Sequence, residues 1–344
     1  MSRTRTTDQS IEVVEAPSIA GLRFRRYRGP TDLGAMVELA NMAQLADDGD
    51  EITTPDGLRN VYANLPDFVP ERDLLLAEVD GRLVAFSERT RTTRDGNLEF
   101  DGYGHVHPDW RRRGFGRAML HHNEDRARQR YASERAQRSG GLDDGPVSLG
   151  TWCLESAVGA VALLNAEDYQ IVRWYLEMER LDLEAIPESP IHEGMVIRPP
   201  TPDEYRAVLV ADGEAFLDHW GARPQTEADI RRMLDAPDAD PTLWQVAWDG
   251  DQVAGSVLPT IYSEENRTLG VRRGVLDHVS VRRPWRRRGV ARALIVAALE
   301  ALREREMTSA ILGVDADNPS GALGLYEGLG FHPIRRLMAW RRPL

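Results

Sequence analysis

Two stretches hold the residues best suited to chemistry. The first is Val106-His107-Pro108-Asp109-Trp110-Arg111-Arg112-Arg113-Gly114-Phe115-Gly116-Arg117. The second is Val279-Ser280-Val281-Arg282-Arg283-Pro284-Trp285-Arg286-Arg287-Arg288-Gly289-Val290-Ala291-Arg292. Each reads as a strand, an arginine-rich turn and the start of a helix. A helix start leaves backbone N–H groups without intrahelical acceptors, and the helix dipole adds partial positive charge. With guanidiniums beside it and a glycine that lets the backbone come close, such a turn is a cradle for phosphate. Asp277 and His278 lie on the strand entering the second cradle. Alternation sets them on opposite faces, Asp277 with Val279 and Val281, His278 with Ser280. Glu264 and Glu265 fall in a predicted loop before that strand, and His121-His122 are adjacent on a helix, pointing apart from a polar face. No Cys/His cluster has zinc spacing, so no metal is expected.

These residues need elements to hold them. In the first half, strand patterns cover 21–27, 98–106, 147–154 and 171–178, and strands 74–79 and 83–87 form a hairpin across Asp80-Gly81. Helical patterns cover 30–44, 55–64 after Thr54 as cap, 115–135, and a stretch from Ser156 to Leu164. The order then restarts. A strand at 195–198 precedes helices at 202–216 and 226–234, a hairpin of 243–248 with 252–258 across Asp249-Gly250, and a long strand at 274–281. The helix after the second turn carries Ala291, Leu294, Ile295, Ala298, Leu299 and Leu302 on one stripe. A strand at 309–314, a helix opening at Asn318-Pro319 and a strand at 334–340 close the chain. The two arginine turns lie 175 positions apart, and the shared order makes the chain a duplication. The expected layout is a disordered tail at 1–20, a domain at 21–182, a linker at 183–194 containing Pro187 and Pro190, and a second domain at 195–344.

Bulk properties narrow the function. A net charge of −12 argues against general affinity for nucleic acid. All 43 basic residues are arginine, so no lysine amine is available as a nucleophile. No apolar run reaches the roughly 20 residues needed to cross a bilayer, and Met1 to Ser10 is polar, without a signal-peptide core. The single cysteine, Cys153, reads as a buried inert thiol. A cytoplasmic monomer or homodimer is expected, with no membrane or nucleic-acid partner.

Arg111-x-x-Gly114-x-Gly116 and Arg286-x-x-Gly289-x-Ala291, each after a strand, are joined in the second half by Asn318 and by Tyr326-x-x-x-Gly330-Phe331. With these motifs the chain resembles the GNAT superfamily of acyl-CoA-dependent N-acetyltransferases over nearly its whole length. The resemblance implies an α/β (α+β) architecture of two tandem GNAT-like domains. Each would be a mixed, mostly antiparallel sheet flanked by helices, with splayed parallel strands at the CoA site. It implies acetyl-CoA as cosubstrate, no metal, and acetyl transfer to a small-molecule primary amine in a ternary complex. The alternative is a non-catalytic acyl-CoA sensor or scaffold. Arg286, Arg287, Arg288, Gly289, Val290, Ala291 and Arg292 would then hold the pyrophosphate, as would Arg111, Arg112, Arg113, Gly114, Phe115, Gly116 and Arg117 in the first copy. Val279 and Val281, with Val106 in the first copy, would face the pantetheine arm, and Asn318 would contact it. Tyr326 would be the general acid. Asp277 or His278 would serve as base or water relay, because Gly274 and Val275 stand where many family members carry a glutamate. In the first half Leu164 and Ser156 occupy the positions of Tyr326 and Asn318, so that domain is expected to be non-catalytic.

Overall fold

The structure is a computed structural model that describes residues 10–94, 96–137, 145–317 and 321–344. The chain divides into two compact units, residues 1–172 with 339–344, and residues 173–338.

In the first unit the elements are β1 (Ser10–Ile11), β2 (Leu22–Arg25), α1 (Leu33–Leu45), α2 (Pro55–Asn64), α3 (Pro70–Asp73), β3 (Leu74–Val79), β4 (Arg82–Arg94), β5 (Asn97–Val106), α4 (Phe115–Gln137), β6 (Val147–Leu154) and α5 (Val158–Ala166). The strands stand in sequence order from β1 to β6. All pair antiparallel except β5 with β6, which run parallel. β3 is buried along its full length because both faces are covered. Leu74 and Leu76 pack with Leu33, Met36 and Leu39 of α1, while Leu75 and Ala77 pack with Phe115, Ala118 and Met119 of α4. Each leucine so buried contributes roughly 2 kcal/mol. Thr54 caps α2 as expected, its hydroxyl accepting from the Gly57 amide at 3.0 Å. Of the expected disordered tail 1–20, residues 1–9 lie outside the described residues and the rest is not disordered. Ser10 and Ile11 pair with β2, and Val13, 6% exposed, is anchored in the α4-side core.

β7 (Gln170–Arg180) leaves the first unit and enters the second, whose further elements are β8 (Met195–Arg198), α6 (Tyr205–Phe216), α7 (Glu227–Leu234), β9 (Gln245–Asp249), β10 (Gln252–Thr260), α8 (Ser263–Leu269), β11 (Arg273–Val281), α9 (Val290–Glu304), β12 (Ser309–Asp315), α10 (Ala322–Glu327) and β13 (His332–Pro343). Here the order is β7-β12-β11-β10-β9-β8, with only β11 and β12 parallel. Leu294, Ile295, Ala298, Leu299 and Leu302 of α9 are wholly buried, which bears out the stripe. The hairpin turn is Gly250-Asp251, one residue later than the sequence suggests, since Asp249 pairs with Gln252.

The expected linker is not a free connector. Leu183 is 1% exposed in the second unit's core, and Arg180 binds the carbonyls of Asp182 (2.8 Å) and Ala185 (2.6 Å). The boundary instead falls inside strands. Residues 173–180 of β7 pair with β12 in the second unit, while residues 339–344 belong to the first, where the Leu344 amide donates to Val147 O at 3.0 Å. Local sequence does not reveal this because a strand's partner is chosen by tertiary packing.

Candidate active site

The two arginine turns repeat each other in backbone detail. Arg112 and Gly114 have φ of 62° and 93°; Arg287 and Gly289 have 61° and 78°. Each turn follows a short 3-10 segment, Pro108–Trp110 or Arg283–Trp285. The first amides bonded within the helices are Ala118, to Gly114 O, and Ala293, to Gly289 O. That leaves the amides of Phe115, Gly116 and Arg117, and of Val290, Ala291 and Arg292, without intrahelical acceptors. Phe115 and Val290 send their side chains into the cores and offer only backbone. Arg112, Arg113, Arg287 and Arg288 are exposed around each turn.

The leading arginines are also held by protein groups. Arg286 turns inward, donating to Val281 O (2.8 Å) and Ala215 O (3.2 Å) and pairing with Asp218. Arg111 repeats this with Val106 O (3.4 Å), Ala43 O (3.0 Å) and Asp47 (2.7 Å). Both guanidiniums therefore brace the cradle and are already engaged by protein acceptors. Arg283 and Arg286 hold the Asp218 carboxyl well below the usual carboxylate range.

The parallel strands part in both units. β11 pairs with β12 only at Arg273 to Val275, although it runs on to Val281. β5 pairs with β6 only at Leu98 to Asp101 and runs on to Val106. Val279, Val281 and Val106 thus lie beyond the last paired rung, beside an open slot.

The units differ next to that slot. β4 and β5 keep one register along their whole length, whereas β11 carries a bulge: His278 faces Leu258, Leu276 faces Pro259, and Asp277 is the extra residue. The extra residue breaks the alternation that would separate Asp277 from His278. His278 Nδ1 lies 2.6 Å from Asp212 of α6, which is 1% exposed. Burial would lower the imidazole pKa, but Asp212, with help from Asp277, raises it. The edge of the ring packs on Phe216 at 5.1 Å. The Asp277 side chain meets solvent, yet protein surrounds it closely enough to raise its carboxyl pKa. Hydrogen bonds from Thr260 and from Tyr262 (3.0 Å) oppose that rise.

Tyr326 is 6% exposed, with its ring edge-on to Phe331, and burial pushes its phenol up to about 12. Its counterpart is Leu164. The Phe331 amide bonds Tyr326 O at 3.0 Å just as the Tyr169 amide bonds Leu164 O at 3.0 Å. Asn318 lies outside the described residues. Ser156 donates to Asp47 O and tethers the loop after α1. Glu264 and Glu265 lie on the helix α8 instead of a loop, the first paired with Arg267 and the second buried on Arg273. His121 bridges Glu15 and Glu167, both at 2.8 Å, while His122 turns inward with a buried, unpartnered Nε2.

Asp212, Thr260 and Tyr262 carry no motif that marks them in the sequence. A weaker signal for Asp212 existed: a carboxylate at helical spacing between Val208 and Ala215, on a face otherwise apolar.

The Acetyltransferase (GNAT) family matches residues 39–138 and 206–331. A protein of Salinispora tropica named mycothiol acetyltransferase is 29% identical over 316 residues, 90% of this chain and 92% of its own. One of the same name from Thermomonospora curvata is 32% identical over 229 residues, 66% of this chain and 68% of its own. Among solved structures, a GCN5-related N-acetyltransferase from Sphaerobacter thermophilus is 25% identical, with a TM-score of 0.69 over 94% of this chain and 95% of that one. A tandem GNAT protein from the clavulanic acid biosynthesis pathway shares the fold, at 20% identity and a TM-score of 0.65 over 94% and 98% of the two chains. With one match in each half, the chain belongs to the acetyltransferase (GNAT) family and is an acyl-CoA-dependent N-acetyltransferase.

Proposed function

We propose that the second unit moves an acetyl group from acetyl-CoA to a primary amine by direct attack, and that the first unit is non-catalytic. The observation that carries this reading is the Tyr326/Leu164 contrast at matching backbone positions beside two slots that open in the same way. The turn from Arg287 to Arg292 fits a pyrophosphate. It has three amides without intrahelical acceptors, exposed guanidiniums, and open space at Gly289, where an added Cβ would meet no atom within 4 Å. When bound, acetyl-CoA supplies the activated acyl group. Asp212 holds His278 through Nδ1, which leaves Nε2 to take a proton from the attacking amine, directly or through water. The Tyr326 hydroxyl stays protonated at neutral pH and makes no hydrogen bond within the described residues, so it is free to donate toward the departing sulfur. The N–C bond forms as the C–S bond breaks, with one proton accepted at His278 and one given by Tyr326. The relatives named mycothiol acetyltransferase support a small-molecule acceptor.

The test is turnover, read as free thiol released from acetyl-CoA over an amine panel. Tyr326→Phe is expected to lose about 100-fold in kcat, within the range for a general acid, with KM for acetyl-CoA little changed. Leu164→Tyr is expected to leave the rate alone. Unchanged turnover in Tyr326→Phe would remove the reaction from the second unit.

A further inference from the structure

The first unit contains a cavity of about 200 Å³, reaching from Gly116 beside its arginine turn to Asn123 and Glu124 further along α4. Apolar cavities of about 150 Å³ already admit benzene. From Gly116 to Glu124 is roughly 12 Å of helix. The inner end is polar, lined by Ser87 and Arg89 of β4, Asn123 and Glu124 of α4, and Tyr169. Glu124 is already satisfied by Tyr169 (3.0 Å), Arg128 (3.3 Å) and Arg342. Asn123 donates to Glu88 O at 3.4 Å. Ser87 and Arg89 are different. They are 3% and 6% exposed, and Ser87 Oγ and Arg89 Nε have no partner. Tyr169, Glu124 and Asp73 favour the Arg89 charge and Arg126 opposes it, while Arg26, Arg126 and Arg89 help burial push the His122 imidazole down to about 4. The Arg89 guanidinium and the Ser87 hydroxyl thus reach this end of the slot with donor atoms unused while the Glu124 carboxylate is already taken up, and a guanidinium donor is best met by an anionic acceptor.

The second unit shows what this end looks like without them. The cross-strand pair Glu88–Tyr103 corresponds to Leu258–His278, so Ser87 and Arg89 are replaced by Val257 and Pro259. The spacing of the arginine turns replaces Asn123 and Glu124 with Ala298 and Leu299. Val257, Ala298 and Leu299 are fully buried. The positions that match this end are apolar in the second unit, as an acetyl methyl requires; in the first they carry Ser87, Arg89, Asn123 and Glu124.

We propose that the first unit binds a CoA thioester whose acyl chain ends in a carboxylate, received by Arg89 and Ser87, and holds it without turnover. This rests on the reading that the Arg111 to Arg117 turn holds a CoA pyrophosphate. Leu164 offers no proton to a leaving sulfur, so the ligand is retained.

Cys153, the only cysteine in the chain, lines this cavity half-buried; burial pushes its thiol up to about 11, so labelling in alkaline buffer reports the cavity's occupancy. Maleimide labelling of the full-length protein, followed by mass spectrometry, should be slowed by succinyl-CoA at about tenfold lower concentration than by butyryl-CoA, which lacks the carboxylate. Arg89→Met should bring the two thioesters together, and Arg89→Lys should keep part of the preference. The melting temperature of Arg89→Met, measured beside wild type, shows whether the variant is folded. If Arg89→Met misfolds, Ser87→Ala takes its place and should narrow the preference several-fold. Equal protection by both thioesters in the wild type, or a preference that both Arg89→Met and Ser87→Ala leave intact, overturns the proposal. Protection by no CoA thioester overturns it together with the cradle in the first unit. The acetyl-transfer reading is judged separately, by thiol release and Tyr326→Phe.

Discussion

His278 is useful only if something holds its ring, and the carboxylate that does so comes from 66 residues earlier in the chain. Asp212 lies 2.6 Å from His278 Nδ1 and raises the imidazole pKa. Asp212→Asn should therefore lower kcat/KM about 10- to 100-fold, as for loss of an oriented base. The acid limb of the pH–rate profile should also move to lower pH, because the neutral amide no longer favours the protonated ring. Stability follows the same linkage. A histidine whose folded pKa is raised contributes most below its ordinary value of about 6.5 and loses that contribution as pH climbs through the folded value. Thermal melts should therefore separate Asp212→Asn from wild type more in mildly acidic than in alkaline buffer. Tyr326 was legible because its spacing to Gly330 and Phe331 is local. Asp212 was not, since its partner is brought to it by the sheet. Ser87 reads as the ordinary last position of a strand and Arg89 falls beyond the predicted end; the longer observed strand and the covering helix α4 bury both.

The element that repeats best is the strand–turn–helix at each arginine run. Both turns use one non-glycine residue and one glycine at positive φ. With open space at Gly289, the cost of Gly289→Ala is torsional alone. It should destabilise the fold by about 1–2 kcal/mol and raise KM for acetyl-CoA, measurable by chemical denaturation and steady-state kinetics. The turns were legible because arginine and glycine at fixed spacing state their chemistry locally. The inward rotation of Arg111 and Arg286 was not, because Ala43, Asp47, Ala215 and Asp218 approach from other helices and loops. The bulge at Asp277 was hidden for a related reason. One extra residue in a strand has no compositional mark until its partner strand is laid beside it.

At the scale of the molecule, the duplication was readable and its boundary was not. Splitting the chain at the proline-bearing stretch 183–194 would take residues 173–180 away from β12. A fragment of residues 183–344 should then expose an unpaired strand edge and aggregate. A fragment of residues 173–338 should give a cooperative melt and elute as a discrete species on size-exclusion chromatography.

The placement of residues 339–344 has a consequence for the order of synthesis. They belong to the first unit, yet they leave the ribosome only after every residue of the second. The second unit holds all its strands once residue 338 has emerged. The half made first must wait with an unfilled place beside Val147 until the half made second is complete.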